Sequence, residues 1–266
     1  MLLSIRHTTA YRFETPPAYG LQQLRLIPKS RPGQTVADWT MRIEGGALQT
    51  EFADHHQNHV SLISFDAAAT AVAVHCDGTV ETADMNGVVG RHGGFAPLWL
   101  FRTHTGLTRA GAHVRRLARG LRDEAAGDVA RLHMLSRRIL DEVPYETGAT
   151  HAATSAEEAI EHGCGVCQDH AHIFIAAARF MGYPARYVSG YLMMEDRVRQ
   201  DASHAWAEAH IDPLGWVGFD ISNGISPDAR YVRVATGLDY REAAPVSGLR
   251  FGQGGEAMAI DIQVQQ

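Results

Sequence analysis

The stretch "HGCGVCQDHAHIFIAAARFMGYPARYVSGYL", residues 162–192, decides how this chain is built. From Val166 to Met181 the residues are helix formers and apolar nearly all round: Ile173, Phe174, Ile175, three alanines, Phe180 and Met181. A helix without a polar face predicts burial at the centre of a domain. Gly182 supplies a left-handed stop, and Pro184 follows it. Strand-forming residues then resume in "ARYVSGYL", and further strands run to the C-terminus. Helices first and an antiparallel sheet after make this part α+β.

The same stretch carries Cys164 and Cys167 in a CxxC, crowded by His162, His170 and His172. Zinc binding, dithiol redox chemistry and an activated nucleophile all use such residues. Cys167 falls in the first turn of the buried helix, where unpaired N–H groups and the helix dipole favour a thiolate. A nucleophilic cysteine also needs a base within hydrogen-bond reach and a third group to orient that base.

"SHAWAEAHIDPLGWVGFDIS" (203–222) supplies both. Ala205, Ala207, Ala209 and Ile211 form one face of the first strand; His204, Trp206, Glu208 and His210 form the other. In the second strand Val217, Phe219 and Ile221 alternate with Trp216, Gly218 and Asp220. Joining the apolar faces sets Ala207 opposite Phe219 and makes His204 the diagonal neighbour of Asp220, within reach of an imidazole–carboxylate hydrogen bond. A slip of one residue would put the two on opposite faces. Cys167, His204 and Asp220 thus form a candidate nucleophile, base and orienter. The Cys167 N–H is the natural first oxyanion donor. Glu208 and His210 are expected to meet solvent, Trp206 to wall a cleft or fill the core, and His170 and His172 to be packing groups.

Upstream, residues 1–83 read as short strands separated by turn chemistry at Pro16-Pro17, Pro32-Gly33, Gly45-Gly46 and Asp77-Gly78, which predicts an N-terminal antiparallel β-sandwich-like domain. "DHHQNH" (54–59) reads as a polar hairpin turn rather than a metal cluster. Residues 84–111 are glycine-rich and irregular, a linker. Residues 112–266 make the second domain. Its helices begin with a stripe of Val129, Leu132, Leu135, Ile139 and Val143, and "TSAEEAIEHG" opens on a capping box.

"GVCQDHAHIFIAAARFMGYPARYVSGYL" followed by "ASHAWAEAHIDPLGWVGFDISNG" resembles the transglutaminase-like superfamily. The tail "DARYVRVATGLDYREAAPVSG" and the front segments "RHTTAYRF" and "LRLIPKSRPGQ" are similar to its bacterial branch, so the likeness covers almost the whole chain. The resemblance implies a papain-like core with the cysteine helix packed on an antiparallel sheet, and a triad at Cys167, His204 and Asp220. It implies a cysteine protease or amide hydrolase acting on a peptide or protein substrate. A protein-glutamine transglutaminase that passes the acyl group to an amine has the same triad. Cys164 stands where the branch has a small residue, and the resemblance gives it no role.

The rival readings fit less of the sequence. Zinc would need a second pair of ligands at recognisable spacing and would leave the His204/Asp220 register unexplained. A redox dithiol expects a βαβ setting, whereas a capped helix precedes this one. Loss of activity in a binding module would show as a missing triad member. No cofactor and no metal are expected. The chain carries a net charge of −6 and no basic stretch interleaved with aromatics, so nucleic acid is not an expected partner. No apolar run is long enough to span a membrane. The N-terminus lacks the apolar core of a secretory signal. With three cysteines, the expected setting is a reducing cytoplasm.

Overall fold

The computed structural model describes residues 1–123 and 127–266. Six front strands lie where the sequence predicts strands: β1 (Leu2–Phe13), β2 (Tyr19–Leu24), β3 (Gln34–Glu44), β4 (Gly46–Ala53), β5 (His59–Phe65) and β6 (Ala71–Thr82). Along β6 every second residue is buried, and along β1 likewise except at Tyr11, which is half-buried. Asp77-Gly78 is not a turn, because β6 runs straight through it. A Cβ on Gly78 would lie 2.5 Å from the Trp39 ring and from the Asp38 carbonyl, so this glycine permits close approach of β3.

The segment 84–111 is more than a connector. It carries β7 (Val88–Gly90) and a short 3-10 turn (Leu98–Arg102). The helices α1 (Ala112–Ala118), α2 (Asp128–Glu142), α3 (Ala156–His162) and α4 (Cys167–Phe180) follow. Ser155 and Glu158 close the capping box of α3, and Gly163 ends that helix with φ of 71°. Then come β8 (Ala185–Leu192), β9 (Arg199–Gln200), β10 (His204–Ile211), β11 (Gly215–Phe219), β12 (Tyr231–Gly237), α5 (Tyr240–Ala243), β13 (Val246–Phe251) and β14 (Glu256–Gln265).

The strands build three antiparallel sheets with orders β3-β6-β1-β14-β9, β13-β2-β5-β4 and β12-β8-β10-β11-β7. The first two face each other across Phe13, Leu24, Leu26, Ile63, Val72, Val74 and Cys76, which is the expected sandwich. The third carries α4 on its apolar face, where Ala205, Ala207, Ala209, Val217 and Phe219 meet Ile173, Phe174 and the alanines of α4.

The C-terminal strands depart from a simple two-domain reading. β13 pairs with β2, and β14 lies beside β1 along ten residues. Residues 246–265 therefore return to complete the front sandwich. Alternation along β13 and β14 shows a strand but not its partner, so sequence order was a poor guide here. A further apolar cluster locks the two halves together: Leu3, Ile5, Ile262 and Val264 of the sandwich pack against Tyr191, Val232 and Val234 of the third sheet.

Candidate active site

α4 is buried from Asp169 to Arg179, and its first residue, Cys167, is partly exposed at the helix start. Asp169 fixes that end: its Oδ2 accepts the Val166 N–H at 2.8 Å and the Thr150 hydroxyl at 2.6 Å. This is the reciprocal half of a capping box, with valine unable to supply the other half. The Cys167 N–H is one of the donors that a helix start leaves without an intrahelical acceptor.

β10 and β11 pair in the expected register, with Ala207 opposite Phe219, Glu208 opposite Gly218 and Ala209 opposite Val217. His204 and Asp220 come together as that register requires: His204 Nε2 lies 2.6 Å from Asp220 Oδ2, and both side chains are buried. Nδ1 of the ring is left for the Cys167 thiol, which with Asp220 raises the imidazole.

Two residues that sequence reasoning missed hold the carboxylate. Asp220 Oδ2 also accepts from Tyr231 Oη at 2.7 Å and from Asn223 Nδ2 at 2.7 Å, and the Asn223 N–H reaches Oδ1 at 3.2 Å. Asn223 carried a signal, since Asp-x-x-Asn in "DISNG" is turn chemistry. Tyr231 carried none, because it arrives from β12. Burial would raise the Asp220 carboxyl, but His204, Asn223 and Tyr231 outweigh it and hold the group below the usual carboxylate range. Burial likewise disfavours a charged His204, yet Asp220 and Cys167 raise it to about 10. The arrangement favours an imidazolium held by the Asp220 carboxylate. Trp206 and Tyr231 shield it, their rings 6.3 and 6.0 Å from the imidazole. Trp206 is thus a core residue of this shield.

Tyr231→Phe should remove one of three side-chain donors to Asp220. We expect a loss of about 1 kcal/mol in stability and a several-fold drop in turnover. Urea denaturation and steady-state rates read the two effects; an unchanged turnover would show that Asp220 needs no such support.

Cys167 opens onto a cleft of about 210 Å³. The front sandwich supplies one wall through Tyr11, Met258 and Ile260, facing Tyr187 and Tyr240 of the second half. His7 lies in the same wall, hydrogen-bonded to Tyr191 and Thr9, and burial lowers it to about 4, so it stays neutral.

The neighbouring histidines are engaged elsewhere. His170 Nδ1 is 2.8 Å from Ser222 Oγ and its Nε2 is 2.7 Å from the Val143 carbonyl. His172 Nε2 accepts the Tyr240 N–H. Both His170 nitrogens are so used, and the candidate ligand cluster among the described residues, His55, His56 and Glu242, includes neither Cys164 nor Cys167. Cys164 interacts with Glu146, and burial together with that carboxylate raises its thiol. In the 54–59 turn, Asp54 caps the His56 and Asn58 N–H groups as turn chemistry predicts. His55, His56 and Glu242 do place ligand atoms within 4.8 Å of one another. His56 Nε2 bonds Glu242 at 2.7 Å and the Leu238 N–H bonds the same carboxylate, so the group pins the turn to α5.

Glu208 does not meet solvent, and His210 meets it only in part. Glu208 is wholly buried between Arg186 and Arg233, at 2.6 and 2.8 Å. His210 packs edge-on against Trp216. The front half covers this face of the sheet, which strand alternation could not reveal.

Residues 115–221 match the family described as Transglutaminase-like superfamily, and residues 3–81 match the Bacterial transglutaminase-like N-terminal region. An uncharacterized protein of Mycobacterium leprae is 27% identical over 98% of each chain. One of Mycobacterium tuberculosis is 36% identical over 50% of this chain and 45% of its own length. A Cytophaga hutchinsonii crystal structure, named as a candidate cysteine protease, superposes with a TM-score of 0.80 at 21% identity, covering 100% of this chain and 90% of that one. No helix among the described residues is long and apolar enough to cross a membrane. The core match encloses Cys167, His204 and Asp220 and the second match lies on the front sandwich, so residues 115–221 form a transglutaminase-like core and residues 3–81 a bacterial transglutaminase-like N-terminal region.

Proposed function

We propose that this protein is a thiol-dependent amide hydrolase, a cysteine protease or amidase acting on a peptide or protein. Cys167 is its nucleophile, His204 its acid and base, and Asp220 the group that orients His204. The single observation that carries this is the 2.6 Å His204–Asp220 contact, which leaves the other imidazole nitrogen for Cys167 at a helix start.

The thiolate attacks the carbonyl carbon, and the Cys167 N–H receives the developing oxyanion. The C–N bond breaks as His204 Nδ1 gives its proton to the leaving amine. The resulting thioester is resolved by water, whose proton returns to His204 as the C–S bond breaks. The apolar and aromatic cleft walls suit an uncharged side chain beside the scissile bond. Nucleophilic thiol chemistry requires Cys167 reduced, which agrees with a cytoplasmic setting.

The test is a substrate-profiling screen of wild type against Cys167→Ala, with and without an added primary amine. Cysteine-dependent release of amine product supports hydrolysis. Turnover only with the added amine would make the protein a transglutaminase, and no cysteine-dependent turnover on any substrate would overturn the proposal.

A pH profile follows from the charged pair. Because His204 is raised, its charged form stabilises the fold fully below about pH 6.5, and that contribution is lost as pH rises through about 10. The rate kcat/KM should hold across neutral pH and fall on the alkaline side through that value. A profile that instead rises through about pH 8.5, where an ordinary thiol ionises, would indicate an unassisted cysteine.

A further inference from the structure

A second cavity, of about 510 Å³, lies on the opposite side of the third sheet from α4, under the loop that joins β2 to β3 and the segment around β7. Its walls carry Lys29, Arg31, Arg91, Arg186 and Arg233 and no carboxylate. That concentration of cations stands out in a chain whose net charge is −6.

Only part of the charge is answered from within. Glu208 lies beneath the wall and bridges Arg186 and Arg233. Among the described residues Lys29, Arg31 and Arg91 form no ion pair. Asp54 draws on Lys29 from a distance but is itself bridged to Arg25. Burial and the Arg233 and Arg186 guanidinium groups press the Arg31 side chain toward losing its proton against the pull of Glu208, and desolvation, Arg233 and Arg31 press the more exposed Lys29 the same way. Like charges gathered in a partly enclosed space repel one another unless an anion sits among them.

The cavity is also organised. Arg186 is pinned by Glu208 on one side and stacks over the Trp216 ring at 3.8 Å on the other. The Arg186 and Arg233 side chains are 11% and 15% exposed, so these are not solvated surface arginines. Guanidinium forks held in place lose little freedom on binding, and they match the geometry of carboxylate and phosphate oxygens. The volume falls in the range of small-molecule sites.

We propose that this cavity binds a small molecule bearing two or more anionic groups, phosphate or carboxylate, seated among Lys29, Arg31, Arg186 and Arg233. Arg186 and Arg233 form the fixed floor, and Lys29 and Arg31 close over the ligand from the front half. Cys167 lies at the other cleft, so this site stands or falls independently of the catalytic chemistry.

The experiment is calorimetric titration, with melting curves alongside, at constant ionic strength. The probes are pyrophosphate, inorganic phosphate and citrate, with acetate as the monoanion control. We expect pyrophosphate or citrate to bind at least ten-fold tighter than acetate and to raise the melting temperature by several degrees. The better of the two identifies phosphate or carboxylate as the recognised group. Lys29→Gln with Arg31→Gln should weaken that binding at least ten-fold. Without ligand the double variant should melt no lower than wild type, since neither side chain has an ion pair to lose. Arg12→Gln with Arg122→Gln, exposed cations elsewhere, should bind as wild type does. If the double variant does not fold, Arg31→Gln alone is titrated and should weaken binding several-fold. The proposal is overturned if no polyanion binds tighter than acetate, or if binding survives loss of the Lys29 and Arg31 charges undiminished.

Discussion

Cys167→Ala should abolish amide hydrolysis, lowering kcat/KM by roughly 10⁴-fold or more. Cys76 cannot substitute, because it is buried in the sandwich and burial pushes its thiol up to about 12. His204→Ala should cost nearly as much, since the two act as a unit and their losses do not add. Cys164→Ser is the informative contrast. Its partner is Glu146, outside the triad, so turnover should stay within about two-fold of wild type, as a surface change away from the chemistry would. Steady-state rates on a substrate found by profiling check all three. Equal losses at Cys164 and Cys167 would instead favour paired use of the two thiols.

The second large effect is on stability. Glu208→Ala should cost about 3–5 kcal/mol, because it leaves Arg186 and Arg233 buried side by side without their carboxylate. That is a large share of the roughly 5–15 kcal/mol that holds a typical domain folded. By contrast, removing the exposed Arg6–Asp77 pair should cost less than about 1 kcal/mol. Burial alone would raise Glu208, but Arg186 and Arg233 outweigh it and lower the group to about 2. A depressed acid stabilises the fold above its unfolded pKa, so this contribution should fade as pH drops from about 4.3 through about 2. Urea midpoints of the two variants measure the difference; similar midpoints would mean that the Arg186–Glu208–Arg233 cluster contributes little.

What the sequence reveals here depends on whether the constraint is local or periodic. The buried helix, its Gly182 stop and the Ser155–Glu158 box are local, and all are found. The β10–β11 register is legible because two alternating apolar faces can meet in only one way, and that register brings His204 to Asp220. Information carried by distant partners was not legible. Tyr231 reaches Asp220 from another strand, β14 returns to β1 across most of the chain, and Glu208 is buried by a half of the molecule that its own alternation cannot sense. Asp77-Gly78 misleads for the related reason that its glycine answers to Trp39 on a neighbouring strand rather than to a turn.

The central claim is that His204 activates Cys167, and alkylation with iodoacetamide tests it most directly. At neutral pH, Cys167 of the wild type should be modified much faster than Cys76, and His204→Ala should slow Cys167 by at least ten-fold. Equal rates at the two cysteines, or a Cys167 rate indifferent to His204, would contradict the claim.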